Sequence, residues 1–308
     1  MSLLTDIVSP YLWALAALTA ALGQSVRSVI QKRSRQTLGI YGSAFVRFIF
    51  AVPLASLVLF AVIADPMGQY VSFPLGFYFW LVMAGTMQIL LTIILGYAFE
   101  QRNFATSIAL SKTDVLQAAF FEMLLLAVIP DTRSAIAIGI GLLAVFFIAK
   151  GRSPSGLSTM PMAPNWGSVA LGLGAGFAQA MCAVLYRIAL ETLDGQDYFA
   201  NAIMTSVAAI YFQTLALGAF MLIFHRQQLR DSVLSGRVSF AAGTIAAITT
   251  FMWLFAFSLK GVAPVRMVGQ FEIVFSLMFS VWFFKERVSR AELIGAAAII
   301  LSVLILLS

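Results

Sequence analysis

The sequence predicts an all-α polytopic membrane protein, with ten transmembrane helices arranged as two inverted five-helix repeats. Of its 308 residues, 61% are hydrophobic and only 10% are charged, which is more apolar surface than a soluble domain can bury. The apolar residues form runs of about 20, the length that a helix needs to cross a bilayer, and not the short alternating segments of a barrel. The two halves also share polar residues at a nearly constant spacing.

Short polar turns separate the predicted spans, which lie at about 8–30, 38–64, 72–99, 103–129, 134–150, 166–190, 199–224, 238–259, 262–284 and 291–307. The longest polar connection, 151–165, is rich in Gly, Ser and Pro, as linkers are. It separates a first five-helix repeat, 1–150, from a second, 166–308.

The evidence for duplication is the pairing of residues between the halves. A shift of 158 places Ala84-Gly85-Thr86 on Ala242-Gly243-Thr244, and a slightly smaller shift pairs Gln24 with Gln179 in the first helix of each half. Because five is an odd number, the second half must enter the membrane in the opposite sense to the first. Inverted repeats of this kind are a transporter architecture, with the substrate site near mid-membrane between the repeats.

Basic residues are concentrated in the turns that follow the odd-numbered spans: Lys32, Arg33, Arg35, Arg102, Lys150, Arg152, Arg226, Arg230, Arg237, Lys285, Arg287 and Arg290. The turns after even-numbered spans contain little beyond Arg133 and Lys260. Since cytoplasmic turns are enriched in Lys and Arg, this bias places the odd turns in the cytoplasm and both termini outside.

Several function classes are excluded or disfavoured by composition. The net charge of +6 is scattered through turns, so nucleic-acid binding is not indicated. One cysteine, Cys182, and one histidine, His225, make a zinc or haem site improbable, and we expect no cofactor. Enzyme motifs and a Walker A sequence are missing, so transport would use a gradient or run downhill.

Two predicted spans carry carboxylates at corresponding depths. The shift of 158 places Asp114 in span 4 on Glu272 in span 9. If both spans are continuous helices, each has a polar stripe about 80° wide. The stripes contain Ser107, Ser111, Asp114, Ala118 and Glu122 in span 4, and Val265, Gly269, Glu272, Ser276 and Ser280 in span 9. A charge at the bilayer centre costs at least about 2.5–3.5 kcal/mol, so such groups face a bundle interior or water.

The functional interpretation is a central cavity lined by these stripes, with Glu272, Asp114 and Glu122 as sites for protons or a substrate ammonium group. The alternative is that each carboxylate pairs with a basic neighbour and only fixes the packing; the candidate partners are Lys112, Arg266 and Arg47. Arg47 could equally contact an anionic group of the substrate. Gln24 and Gln179 could line the cavity or bond between helices.

Three local patterns predict more limited features. Gly172 and Gly176 form a small-xxx-small pair that allows close helix contact. Ser289 and Glu292 have the spacing of a capping box at the start of the last helix. Arg27 lies near the end of the first predicted span, where we expect its side chain to extend towards the membrane surface.

These residues resemble the drug/metabolite transporter superfamily, in its ten-helix EamA-type family. The likeness is carried by the five-plus-five repeat, by FVRF in span 2 and most specifically by EIVFSLMFSVWFFKERVSRAELIGAAAIILSVLILL, which begins at Glu272. The resemblance implies a secondary transporter with a cavity between inverted halves. It also implies that Glu272 matches the acidic position of the family's penultimate helix and that Asp114 is its counterpart in the first half.

The sequence departs from the family pattern in two respects. The turn from Ile129 to Arg133 lacks the Glu-Arg pair of the closing helices. The resemblance also implies cytoplasmic termini, whereas the turn charges favour the opposite orientation.

The sequence therefore predicts a secondary active transporter, an exporter or exchanger of a small polar or amphipathic metabolite such as an amino acid. Its partners would be that small molecule and the lipid bilayer, as a monomer or a homodimer in the cell inner membrane. The alternatives are a translocator of lipid-linked metabolites, an intramembrane enzyme and a structural or sensor protein.

Overall fold

The protein is all-helical in the residues that its computed structural model describes, which are 9–63, 73–100, 104–151, 166–193, 197–284 and 289–308. After a short 3₁₀ turn at Ser9–Tyr11, the helices are α1 (Leu12–Ile49), α2 (Val52–Ile63), α3 (Leu75–Glu100), α4 (Phe104–Ser111), α5 (Asp114–Leu126), α6 (Thr132–Gly151), α7 (Trp166–Glu191), α8 (Tyr198–Phe224), α9 (Arg226–Val233), α10 (Arg237–Leu259), α11 (Val262–Gly269), α12 (Phe271–Phe284) and α13 (Arg290–Leu307).

Within the described ranges, seven segments are long and apolar enough to cross a membrane: Thr37–Ala61, Leu75–Ala98, Trp166–Glu191, Tyr198–Phe224, Val238–Leu259, Val262–Phe279 and Arg290–Leu307. The predicted class, a polytopic α-helical membrane protein, is confirmed. The count of ten spans and the inverted arrangement stay predictions. The linker 151–165 lies outside the described residues except for its first residue.

The helices of the predicted spans 103–129 and 262–284 are not continuous, so the condition for a single polar stripe along each span is not met. Both are broken, the first between α4 and α5 and the second at Gln270, between α11 and α12. The amides of Lys112 and Thr113 bond to carbonyls three residues back, as does the amide of Gln270. This tighter 3₁₀ spacing changes the rotation per residue, so one polar stripe cannot continue along either segment at 100° per residue.

Hydrogen bonds from local side chains define two other helix starts, and a glycine defines a bend. The capping box of Ser289 and Glu292 is confirmed, with both reciprocal hydrogen bonds present. Asp131 lies directly before α6, where hydrogen bonds from the side chain and amide of Ser134 hold the pKa of its carboxyl below the ordinary value. In the middle of α1, Gly39 has φ +70°, a conformation that glycine adopts most readily, and the helix changes direction there.

Helices from the two halves of the chain pack on one another. Helix α1 packs on α10, and α3 packs on α7; α5 contacts α11, and α6 packs on α13. Close approach depends on glycine, as predicted: a Cβ on Gly172 of α7 would lie 2.7 Å from the carbonyl oxygen of Ser107 in α4. Short side chains at these crossings let helix backbones touch where no hydrophobic effect drives association in lipid.

The largest buried apolar cluster lies at one end of the bundle, which we call the closed end. It joins the starts of α1 and α3 to the last turns of α7 and α10 and to the start of α11, through residues such as Trp13, Phe77, Leu190, Phe257 and Val262. At the opposite end, which we call the α9 end, the short polar helix α9 packs against the part of α1 around its bend. Its Gln228 accepts a hydrogen bond from the amide of Gly42, 3.2 Å away.

Candidate functional site

A polar cavity of about 140 Å³ lies between helices of both halves. Along α1, α3, α7 and α10, the cavity residues lie on the α9 side of the apolar cluster or, at Cys182 and Trp253, belong to both. Its polar lining consists of Gln24, Arg27, Ser28, Ser43, Arg47, Gln88, Thr92, Ser111, Lys112, Asp114, Gln179, Thr249, Thr250, Trp253, Arg266 and Glu272. Eight of the predicted site residues are therefore brought together: Gln24, Arg47, Ser111, Lys112, Asp114, Gln179, Arg266 and Glu272.

Glu272 is bound by groups from the first half of the chain. Lys112 Nζ lies 2.7 Å from Glu272 Oε2, and Gln24 Nε2 donates to the same oxygen at 3.0 Å. The Gln24 carbonyl oxygen in turn accepts from the indole of Trp253 at 3.2 Å. The Lys112 and Glu272 side chains keep 13% and 15% of their surface exposed, so this ion pair is in contact with the cavity.

Asp114 is held more tightly, in an ion pair that is almost completely buried. Arg266 Nε donates to Asp114 Oδ2 at 2.8 Å, and a second guanidinium nitrogen binds the same oxygen. The two side chains are 3% and 1% exposed. Gln270 Nε2 lies 3.4 Å from the other carboxylate oxygen, and the Arg266 guanidinium lies over the Trp253 ring, 4.7 Å from its centroid.

The two carboxylates occupy equivalent places in the chain. Each lies in the first turn of the helix that follows a break, Asp114 in α5 and Glu272 in α12. A carboxylate is stabilised there by the positive end of the helix dipole. Each is also bound by the side chain located at the break of the other half, Lys112 for Glu272 and Gln270 for Asp114. The breaks thus place both carboxylates at the interface between the halves.

Two arginines of α1 complete the charged lining. Arg47 is 5% exposed and donates from Nη1 to the hydroxyl of Thr92 at 2.8 Å. Arg27 is 7% exposed, so the expectation that its side chain extends to the membrane surface is wrong. Within the described part of the chain, the Nε atoms of both guanidinium groups are buried and without a hydrogen-bond partner.

Glu122 does not line the cavity. It is 3% exposed and accepts hydrogen bonds from the amides of Val262 and Ala263, the second at 2.7 Å. These are free amides of the first turn of α11, so the carboxylate caps that helix in place of a local N-cap side chain. Its predicted role in substrate or proton coupling stays a prediction without a supporting contact.

Other predicted lining residues also lie outside the cavity lining. Ser107 is fully buried and donates to a backbone carbonyl of α7, 2.8 Å away. Gly269 packs against the Trp253 ring, which a Cβ would approach to 2.5 Å. Ser276 is half-buried outside the cavity lining, and the side chain of Ser280 lies outside the described residues.

A second hydrogen-bonded group adjoins the cavity at Gln88, a residue that was not among the predicted site residues. Its side-chain oxygen accepts from Tyr186 at 2.9 Å and from Gln213 at 2.6 Å. Tyr186 and Gln213 are themselves buried. The available signal for both Gln88 and Trp253 was a polar group within an apolar span. For Gln88 this group is the side-chain amide, and for Trp253 it is the indole N–H.

No group of three or more His, Cys, Asp or Glu side chains in the described ranges has the arrangement of a metal site. What the fold and cavity define is a helical membrane protein with a charged chamber between its two halves. Residues 166–308 match the EamA-like transporter family, which confirms the resemblance over that part of the chain and is consistent with a protein of the drug/metabolite transporter superfamily.

The remaining comparisons concern the fold. No curated protein matches the sequence. A crystal structure of a protein superposes with a TM-score of 0.70 at 12% sequence identity, over 96% of this chain and 96% of that chain. At this identity the likeness shows that the fold is shared along nearly the whole length, and it says nothing about the substrate.

Proposed function

We propose that this protein is a gradient-driven secondary transporter, an exporter or exchanger, that carries a small polar metabolite by alternating access. The observation that carries the proposal is the charged cavity enclosed between the halves, in a chain whose second half matches a transporter family. Its volume is close to the roughly 150 Å³ of an apolar cavity that holds benzene. The fitting substrate is therefore a molecule of about that size.

Inverted repeats and ten spans are part of this proposal. Exchanging the two halves turns the α1–α10 pair into the α7–α3 pair, and both pairs are in contact. The pair α6–α13 is equivalent to itself under the same exchange. The reciprocal breaks, 158 residues apart at Lys112 and Gln270, support the same symmetry. Discontinuous helices at a repeat interface are a common way to build a transporter site.

In the proposed cycle, the structure represents a state that is shut at the closed end. The apolar cluster and the Glu122 cap on α11 both join the two halves there. On the other side, the cavity lining reaches Ser43 and Gly96, each about one turn from the end of its helical segment. Rocking of the halves would separate the closed end and bring the α9 end together.

Within this cycle, Glu272 is the better candidate for coupling, and Asp114 for positioning. The Lys112–Glu272 pair is partly exposed in the cavity and can exchange partners as the halves move, whereas the Asp114–Arg266 pair is almost completely buried. Protonation of Glu272 would release Lys112 for another ligand. Such an exchange would link proton movement to substrate movement.

The test is a counterflow assay in proteoliposomes, using metabolites of about the cavity's size that are first selected by thermal stabilisation of the purified protein. Glu272→Gln should abolish the pH dependence of uptake, because the amide cannot take up or release a proton. Glu191→Gln is the matched control, since Glu191 is exposed and pairs with Arg187 outside the cavity. Wild-type uptake by Glu272→Gln at every pH would refute the coupling role, and the lack of counterflow by the wild type would refute the transporter itself.

A further inference from the structure

The cavity contains more positive than negative side chains. Its described lining includes four cations, Arg27, Arg47, Lys112 and Arg266, and two carboxylates, Asp114 and Glu272. Both carboxylates are already engaged, by Arg266 and by Lys112. Pairing each carboxylate with its nearest cation leaves two guanidinium groups without a carboxylate of their own.

These two groups, Arg27 and Arg47, are buried more than nine-tenths. Each has a buried Nε without a hydrogen-bond partner in the described part of the chain, and the charges of the two groups repel each other. Glu272 attracts Arg27, but its single negative charge is already paired with Lys112 and does not fully compensate the charge of Arg27. A buried charge is expensive unless it is paired and hydrogen-bonded, so an anion bound by these two guanidinium groups would be stabilising.

The arginines are well placed to receive one. Both belong to α1, on either side of its bend at Gly39, and both line the cavity. Arg47 is positioned by its bond to Thr92 and by contact of its guanidinium with the Phe48 ring. Guanidinium groups bind carboxylate or phosphate through two parallel N–H···O bonds, which a single ammonium cannot reproduce.

We propose that the ligand of this cavity is a small organic anion, whose carboxylate or phosphate group is bound jointly by Arg27 and Arg47. The inference rests on the proposed transport function and specifies its substrate class. It reverses the expected role of the carboxylates: Glu272 and Asp114 orient Lys112 and Arg266, and they do not receive a substrate ammonium group. Because the polar lining continues at Gln88, the rest of the ligand has room for hydrogen-bonding groups.

The charge of the turns supports the proposal independently of the cavity. The turns after the odd-numbered spans are strongly basic, and the α9 end, towards which the cavity extends, includes Arg226 and Arg230 of α9 itself. A positive field around a cavity mouth raises the local concentration of anions and their association rate. It would disfavour an amine without an acidic group.

Binding to the purified, detergent-solubilised protein tests the substrate class without requiring transport. Calorimetry at constant ionic strength would compare sodium succinate with neutral succinamide and cationic 1,4-diaminobutane, and glycerol phosphate with glycerol. We expect binding of at least one anion and of none of its uncharged or cationic counterparts. The succinate and phosphate arms distinguish a carboxylate ligand from a phosphate ligand.

Variants then locate the bound group. Arg27→Gln and Arg47→Gln should each weaken anion binding about ten- to one-hundredfold, the range expected for loss of a charged hydrogen bond. The lysine variants Arg27→Lys and Arg47→Lys keep the charge and should lose less. Arg187→Gln is the control, because Arg187 binds Glu191 and the backbone end of α10 outside the cavity. Size-exclusion profiles and unfolding temperatures show which variants are folded.

The proposal is overturned if no carboxylate or phosphate binds, if succinamide or diaminobutane binds as tightly as succinate, or if both lysine and glutamine variants bind like the wild type. A protein that binds anions but shows no counterflow with them would retain this site and lose the proposed transport function. Counterflow of neutral or cationic metabolites without anion binding would support the transport function and refute the anion site.

Discussion

Asp114 and Arg266 show how a membrane protein can keep two charges in its interior. Their side chains are 1% and 3% exposed, and each hydrogen-bonds the other within a site that also includes Gln270 and the Trp253 ring. Removing one member of a buried pair leaves the other charge uncompensated, which costs about 3–5 kcal/mol in soluble proteins. The pair is therefore a structural requirement of the α5–α11 contact.

We expect Asp114→Asn to lower thermal stability markedly, and Glu191→Gln to have a small effect, because the exposed Glu191 carboxylate contributes only about 0.3–0.5 kcal/mol through its pair with Arg187. Thermal unfolding of the purified variants measures both changes. Replacing both partners with apolar residues, as in Asp114→Leu/Arg266→Met, should recover stability relative to Asp114→Asn, since no unpaired charge remains. Equal unfolding temperatures for Asp114→Asn and the wild type would contradict the assignment.

At the scale of residues, the sequence predicted much of the candidate site. The corresponding positions of Asp114 and Glu272 followed from the shift of 158, and Lys112 and Arg266 were named as partners before any contact was known. Which cation meets which carboxylate could not be predicted, because it depends on faces of helices that are about 150 residues apart in the chain. The position of Arg27 was wrong for a different reason: α1 continues past the predicted end of span 1 at residue 30, so Arg27 does not lie near a helix end.

At the scale of helices, the contact of α7 with α4 depends on the absence of a side chain at Gly172. A Cβ there would lie 2.7 Å from the Ser107 carbonyl oxygen and 2.8 Å from Leu110 Cβ. Two residues further along the same helix, a Cβ on Gly174 meets nothing within 4 Å. Substituting alanine at positions 172 and 174 therefore compares the same change in crowded and in open surroundings.

We expect Gly172→Ala to destabilise the protein by about 1–3 kcal/mol, the usual effect of overpacking. Gly174→Ala should be neutral or slightly stabilising, because alanine is the better helix former. Thermal unfolding in detergent compares the two variants directly. An unfolding temperature as high for Gly172→Ala as for Gly174→Ala would show that α7 can move away from α4 at little cost.

The breaks between α4 and α5 and between α11 and α12 were the main feature of the helices that was not predicted from the sequence. Apart from the polar residues near each break, both interrupted segments are mainly apolar, and neither contains a proline at the break, so hydrophobic periodicity gives no reason to divide them. The breaks are stabilised in part by tertiary contacts, including the bonds of Lys112 and Gln270 to carboxylates of the opposite half. Polar residues at matching positions of the two halves were the available signal. By contrast, the capping box at Ser289 is a local pattern and was correctly predicted.

At the scale of the whole molecule, the arrangement of polar and apolar residues gives the bundle two different ends. The cavity lies on the α9 side of the apolar cluster, and Glu122 caps α11 across the interface at the closed end. Solvent and ligand should therefore reach the cavity from one face of the membrane in this state.

Cysteine labelling tests this asymmetry in a Cys182→Ala background, because Cys182 itself lines the cavity. A membrane-impermeant maleimide should label Ser28→Cys from one face only and should leave Leu254→Cys, in the closed-end cluster, unlabelled. Glu122→Gln should increase labelling at position 254 from the opposite face, since a neutral amide caps α11 more weakly. Equal labelling of both positions from both faces would contradict the closed end, and the labelled face of Ser28→Cys would establish the membrane orientation.

The sequence by itself determined that this chain is a helical membrane protein, because a bilayer is the only solvent that accepts so high a proportion of apolar residues. It also determined local features, such as the last helix cap and the glycines at the α7 contact, whose causes lie within a few neighbouring residues or on one helix face. Only the tertiary structure decided that two carboxylates are neutralised by cations from the opposite half, while Arg27 and Arg47 have no carboxylate partner among the described residues. The balance of charge in an enclosed space depends on which side chains meet there, and that is a property of the packed helices.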